Sequence, residues 1–298
     1  MRNLFPILTV TAALMAVWYA AVVPMNQQWA QDQARRAGVE LTLPDLIAQT
    51  MAQDRPRLPS PHQVATELWN STVVEELTGR RGWWNTGTLS NRSLIYHGWI
   101  TLSATLLGFA IGSLLGIALA VGIVYNRAMD ASVMPWAIAS QTIPILAIAP
   151  MIIVVLNAVG ISGLIPKAII STYLSFFPVV VGMVKGLRAP DHMQLDLMKT
   201  YSASGPKVFL KLRLPSSMPY LFASLKVAIA AALVGAIVAE LPTGAVAGLG
   251  ARLLSGSYYG QTVQIWAALF AAAILAATLV AVIGLIQRAT LKRMGMAG

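Results

Sequence analysis

Two groups of residues in this chain have types and spacings that could do chemistry. The first is a polar, basic island at residues 196–215, DLMKTYSASGPKVFLKLRLP, set between two long apolar runs. Lys199, Lys207, Lys211 and Arg213 give it a positive sign against a single acid, Asp196. Ser204-Gly205-Pro206 reads as a break and restart, because Ser or Gly caps a helix and Pro suits its first turn. Two short helices with a kink between them are expected, closed by Leu214-Pro215 before the next apolar run. The chemistry of such a segment is recognition by another protein; the plainer reading is a basic loop that orients a membrane protein. The second group is polar residues inside apolar runs: Gln141, Thr142 and Asn157 around Pro144 and Pro150, then Tyr173 and Ser175, then Glu240. Proline at membrane depth frees backbone carbonyls, which is tolerated only inside protein or along a cavity. A translocation path and a kinked packing helix both fit these residues. Glu240 closes its run and is expected to be solvated there, with binding of a cation or a substrate amine as its other use.

Several chemistries are excluded. Cysteine is absent, so there is no thiol nucleophile, disulfide or Cys-based metal site. His62, His97 and His192 lie far apart, with no pair at a helical ligand spacing, and no metal site is expected. No G-x-x-x-x-G-K-[ST] loop exists to cradle nucleotide phosphates. Scattered Ser and Thr without a neighbouring base do not make an active site, so the chain is not expected to be an enzyme. A secondary transporter would need ionisable groups within the membrane or repeated halves, whereas Asp, Glu and His are absent from the middle of every span and no convincing repeat is found.

The elements that must position these residues are membrane helices. With 57% hydrophobic and 11% charged residues, the chain is far from the quarter charged of soluble domains. An all-α integral membrane protein with about six transmembrane helices is expected. The predicted spans are residues 4–23, 99–124, 134–159, 168–183, 219–239 and 263–286, the first long enough to be a retained helix. Between the first two lies a polar segment, 25–97, in which Val64, Leu68, Val73 and Leu77 suggest an amphipathic helix after Leu58-Pro59-Ser60-Pro61. Trp83, Trp84, Tyr96 and Trp99 suit an interfacial belt. Gly108, Gly112 and Gly116 at four-residue spacing let another helix approach closely. Residues 125–130 read as a short loop, 161–166 as a turn and 241–260 as a Gly- and Ser-rich connection.

The basic island resembles the cytoplasmic EAA loop of ABC-importer permeases: Glu-Ala-Ala, three residues, Gly, nine residues, Ile-x-Leu-Pro. Asp196 takes the Glu position, Leu197 and Met198 the Ala positions, Ser202 the Gly position and Leu212 the Ile position, with Leu214-Pro215 in register. The match is in spacing and character, with bulkier residues and Ser for Gly. Leu58-Pro59-Ser60-Pro61, the run from Leu94 to Gly122, IPILAIAP and SFFPVVVGMVKGLR look like the nitrate, sulfonate, taurine and pyrimidine-precursor branch. The resemblance covers most of the chain from residue 58 onward; 25–57 has no recognised counterpart.

It implies a type I ABC importer permease: 1–24 an N-terminal transmembrane helix, 25–97 a periplasmic segment and 98–290 a core of five transmembrane helices. The coupling loop is then 188–218, with a cytoplasmic tail at 291–298. The coupling residues implied are Asp196, Leu197, Met198, Thr200, Tyr201, Ser202, Ala203, Ser204, Gly205, Leu214 and Pro215. The partners implied are ABC ATPase subunits, which bind ATP and Mg while this chain holds no cofactor, a periplasmic substrate-binding protein, and a second copy or a paralogous permease. Nucleic acid is not a partner. With this loop cytoplasmic and six spans, both termini lie inside a bacterial inner membrane. The inner face then holds twelve basic residues against three acids and the outer face nine against eight, as the positive-inside rule requires. The solute implied is small and polar or anionic, of the pyrimidine-precursor, sulfonate/taurine or nitrate class, with a flat aromatic solute preferred. The alternative is a secondary transporter, channel or scaffold with no ATPase partner.

Overall fold

The structure, a computed structural model, describes residues 4–241 and 246–296. Arg2, residues 242–245 of the Gly- and Ser-rich connection and the last two residues of the tail lie outside the described residues. Every regular element described is helical. In chain order these are α1 (Leu4–Ala37), α2 (Leu43–Met51), α3 (Pro61–Trp69), α4 (Glu75–Thr78), α5 (Trp83–Thr86), α6 (Leu94–Tyr125) and α7 (Arg127–Ser140). There follow α8 (Ile145–Ala158), α9 (Leu164–Leu187), α10 (His192–Thr200), α11 (Gly205–Val208), α12 (Leu214–Ala239), α13 (Leu249–Tyr258) and α14 (Thr262–Arg293). Five helices are long and apolar enough to cross a membrane, and α7 with α8 makes a sixth, bent pair.

The chain divides into two compact units, Met1–His97 with Ala251–Ala272, and Gly98–Gly250 with Ala273–Gly298. In the first, α1 does not stop where its apolar run ends but continues through Pro24 to Ala37. At 1.5 Å per residue its 34 residues outreach the roughly 20 that a bilayer needs. The buried Asn26 explains what the polar half does. Its Nδ2 donates to Leu58 O (2.8 Å) and Thr50 O (3.3 Å), and its Oδ1 accepts from Arg57 N (2.8 Å) and Leu58 N (3.2 Å). One side chain thus folds α2 and the following loop back onto α1. Trp18 donates to Pro59 O (3.0 Å) and stacks on Phe270 with centroids 5.8 Å apart.

The amphipathic pattern over Val64, Leu68, Val73 and Leu77 does not run as one α-helix. A π-helical turn at Asn70–Val74 separates α3 from α4, and its extra residue rotates the stripe. Val64 is buried, Leu77 is exposed, and Glu76 takes the inward position. Its carboxylate accepts from the backbone N–H of Trp83 (2.9 Å) and of Ser90 (3.1 Å), closing residues 77–90 into a loop.

In the second unit α9 packs between α6 and α12. The glycine ladder is the reason for the closeness: a Cβ added at Gly112 would lie 2.1 Å from Ser175 Oγ and 3.1 Å from Thr172 O. Hydroxyls fill the seams, with Thr172 and Ser175 donating to Gly108 O (3.2 and 3.3 Å) and Ser171 to Ala232 O (2.7 Å). Ile123, Val179, Val180, Met183, Leu187 and Leu221 form the apolar core at one end of this trio.

Four expectations need correction here. The loop at 125–130 shrinks to Asn126, whose side chain caps α7 by accepting from Ala128 N (2.8 Å) and Met129 N (3.3 Å). The single span at 134–159 is two helices bent by 96°, broken at residues 141–144. Pro144 has no N–H to continue the ladder, while Pro150 sits inside α8 without ending it. The 241–260 connection carries a helix, α13. Finally, Leu214-Pro215 does not close the basic island: the chain passes from α11 through a π-helical turn at Phe209–Arg213 straight into α12, with Pro in the first turn.

Candidate functional site

The island begins at α10, which Asp191 caps by accepting from His192 N (2.7 Å) while Gln194 Oε1 accepts from Asp191 N (3.2 Å). On its exposed side Lys199 pairs with Asp196 at 2.8 Å, and this bond and charge hold the Asp196 carboxyl below its ordinary range. Thr200 Oγ1 donates back to Asp196 O (3.0 Å). Met193, Leu197 and Tyr201, four residues apart and so on one helical face, are 78%, 55% and 75% exposed. This is an apolar stripe on a charged helix.

The turn after α10 is a Schellman cap. Ser202 N donates to Lys199 O (2.8 Å) and Ala203 N to Met198 O (3.0 Å), which requires a left-handed residue at 202. Ser202 has φ +51°, the sole positive φ at a non-glycine among the described residues. The EAA pattern has Gly at this position, and the cap supplies a backbone reason for it that spacing alone does not reveal. Ser204 then occupies the N-cap position of α11 without a capping bond from its side chain, and the first turn holds Gly205 and Pro206.

The base of the island is tied to the helices around it. Arg213 Nη1 donates to Leu187 O at the end of α9 (3.2 Å), and its guanidinium lies 5.5 Å from the centroid of Tyr125 on α6. Arg188 pairs with Asp130 of α7 at 2.8 Å. Displacing the island therefore pulls on the ends of α9 and α6, and Arg188, at the C-terminus of α9, ties α9 to α7.

At the α7–α8 break, Tyr173 Oη of α9 donates to Ser140 O, Thr142 Oγ1 to Ala139 O (2.8 Å) and Gln141 Nε2 to Ser140 Oγ (3.3 Å). Pro144 occupies the capping position of α8. Thr142, Pro144 and Asn157 are exposed, Gln141 and Tyr173 half-buried, and Ser175 is buried in the α6–α9 seam.

Glu240 is not solvated. It is fully buried at the end of α12, and its carboxylate is held by Lys167 Nζ at 3.2 Å. Thr101 Oγ1 lies 2.9 Å from Oε2, and Gly250 N donates to Oε2 at 3.0 Å. Lys167 also donates to Ala247 O (2.8 Å), and Leu249 N to Thr101 Oγ1 (2.9 Å). A Cβ at Gly248 would fall 2.1 Å from Glu240 Cδ, so only glycine passes this close. The cluster fastens α6, α9, α12 and the segment 247–250 together. Its members are up to 149 residues apart in the chain (Thr101 to Gly250), so no local motif announces it. The signal available was one Lys and one Glu at the ends of spans otherwise nearly free of charge.

The family described as the binding-protein-dependent transport system inner membrane component matches residues 112–296. The chain is similar to a probable ABC transporter permease protein of Haemophilus influenzae, 32% identical over 173 residues that make up 58% of this chain and 69% of the relative. It is similar to the formylaminopyrimidine transport permease protein ThiX of Halalkalibacterium halodurans, 32% identical over 54% of this chain and 63% of that protein. The riboflavin transport system permease protein RibX of Chloroflexus aurantiacus is 28% identical over 78% of both chains.

Proposed function

We propose a function from one premise: the chain belongs to the family of binding-protein-dependent transport system inner membrane components. It is a multi-pass membrane protein and a transport permease of the ABC class. In our reading it is the permease subunit of an ATP-driven importer, coupled through residues 196–215 to a separate ATPase that binds ATP and Mg and does the hydrolysis. The observation that carries this is the uncovered stripe of Met193, Leu197 and Tyr201, the face an amphipathic helix lays into a groove. Asp196, Met198, Thr200, Ser202, Ala203, Ser204 and Gly205 shape that helix and its cap, and Leu214-Pro215 carry its movement into α12. A periplasmic binding protein delivers the solute to a pair of permeases, two copies of this chain or this chain with a paralogue. Both termini then lie on the cytoplasmic side of a bacterial inner membrane.

The path follows the α7–α8 break, lined by Gln141, Thr142, Pro144, Asn157 and Tyr173, with Ser175 and Glu240 holding its wall from within. A flat nitrogen heterocycle is the favoured solute, because two similar permeases are named for formylaminopyrimidine and riboflavin. A sulfonate or nitrate-like anion is the second reading. The test is co-expression with the cognate ATPase followed by capture in detergent. The wild type is expected to retain the ATPase, and Ser202→Arg/Ala203→Glu or Leu197→Glu to lose it while eluting as a folded species. Equal capture by wild type and variants would overturn the coupling assignment.

A further inference from the structure

The loop that Glu76 closes has a use that transport does not explain. It surrounds a cavity of about 560 Å³ lined by Glu75, Arg80, Arg81 and Arg92, within the size range of small-ligand sites. Among the described residues none of the three guanidiniums forms an ion pair, and the one carboxylate there, Glu75, accepts from Ser90 Oγ at 2.8 Å. Three like charges around one cavity repel unless an anion enters. The planar fork of Arg suits the paired oxygens of a tetrahedral oxyanion better than any single point charge.

The loop is built rather than slack. Glu76 holds Trp83 N and Ser90 N, and Arg252 Nη2 of α13 donates to Arg92 O at 3.2 Å. Its place in the chain selects the ligand. Arg92 stands two residues before α6, an apolar membrane-crossing helix that starts at Leu94. Trp83 and Trp84 are both exposed on the same loop, and indole rings settle at the headgroup level of a bilayer.

We propose that Arg80, Arg81 and Arg92 form a phosphate site for the headgroup of an anionic phospholipid, with Trp83 and Trp84 as its interfacial anchors. The inference rests on the chain spanning a membrane and not on the ATPase assignment, so either can fail alone. The ligand chemistry, a phosphate oxyanion, could also come from solution, and the test separates the two sources. The full chain is purified in a neutral detergent and titrated with phosphatidylglycerol, phosphatidylethanolamine or inorganic phosphate, with native mass spectrometry counting what is bound.

Phosphatidylglycerol is expected to bind at least tenfold tighter than phosphatidylethanolamine. Arg80→Gln/Arg81→Gln/Arg92→Gln is expected to lose about tenfold or more of that affinity and to bring it down to that of phosphatidylethanolamine, whose ammonium offsets the phosphate charge. Lysine at all three positions should recover part of the loss, keeping charge without the fork. Inorganic phosphate at millimolar concentration should displace the lipid. If the triple variant elutes aggregated, Arg80→Gln and Arg81→Gln singly, both on exposed side chains, carry the comparison. Undiminished phosphatidylglycerol binding in the folded variants overturns the proposal. Arg-dependent binding of phosphate without lipid assigns the site to a soluble anion and overturns the lipid source. Indifference to lipid with Arg-dependent capture of an acidic binding protein makes the loop a protein-docking surface instead.

Discussion

Replacing Lys167 by Met tests whether the Glu240 cluster holds the transmembrane unit together. At 3.2 Å, and with an effective dielectric constant of about 20, the two charges attract by about 5 kcal/mol. Measured losses on removing one partner of a buried pair are of the same order, about 3–5 kcal/mol. Lys167→Met leaves a fully buried carboxylate without its counter-charge, held by neutral groups such as Thr101 Oγ1 and Gly250 N–H. Glu240→Gln leaves a neutral amide that still accepts from Thr101, and a lysine that keeps Ala247 O and has 12% of its side chain in contact with solvent. The losses should therefore be unequal: about 3–5 kcal/mol for Lys167→Met and about 1–2 kcal/mol for Glu240→Gln. The double variant should resemble Glu240→Gln alone, so the coupling energy equals the Lys167→Met loss, about 3–5 kcal/mol. At about 2–4 °C per kcal/mol for a chain of this size, Lys167→Met should unfold about 10 °C earlier than the wild type. Thermal unfolding in detergent followed by tryptophan fluorescence reads all three. Equal losses in the two single variants, or a double variant as poor as their sum, would refute the reasoning.

Two further outcomes are expected. Ser202→Gly should raise the unfolding temperature slightly and leave ATPase capture intact. The left-handed backbone costs Ser about 1–2 kcal/mol, and the extra chain freedom of Gly returns about 0.5–1 kcal/mol of that; a loss of stability would show that the Ser202 hydroxyl matters. Burial raises the Glu67 carboxyl above its usual value, with Arg252 pulling it partly back. The folded state thus holds that proton more readily than the unfolded one, so its contribution is full below the ordinary glutamate value and is lost as pH rises through the raised one. Glu67→Gln should flatten this decline in a pH series of unfolding temperatures, and an unchanged slope would remove Glu67 as its source.

What was legible in the sequence were features with a local period. Apolar runs marked the spans, four-residue glycine spacing marked the close packing of α6, and the EAA spacing marked α10 and its turn. What escaped were features made by single residues or by distance. One inserted residue at the π-helical turn exchanged Leu77 for Glu76 on the inward face, and an apolar stripe counted at 3.6 residues per turn cannot register it. Gln141 to Pro144 looked like a kink within one span, because composition does not report the 96° angle between two helices. Glu240 looked solvated because it ends an apolar run; Lys167, 73 residues earlier, decides otherwise.

The packing of α9 against both α6 and α12 has a mechanical side. A helix whose neighbours rest on glycine and hydroxyl contacts along much of its length cannot slide without meeting backbone atoms, so the trio behaves as one stiff beam. Bending is left to joints with few such contacts: Asn126, the stretch 141–144, and the turn where Gly160 and Gly163 take φ of +82° and +77°. Arg213 attaches the basic island to the beam end, and Arg188, at the C-terminus of α9, ties the beam to α7. A load applied at that island would pass to the ends of α9 and α6, and α8, jointed at both ends, also rests on the beam where its Ala149 is buried with Ile170 of α9 and Ala239 of α12.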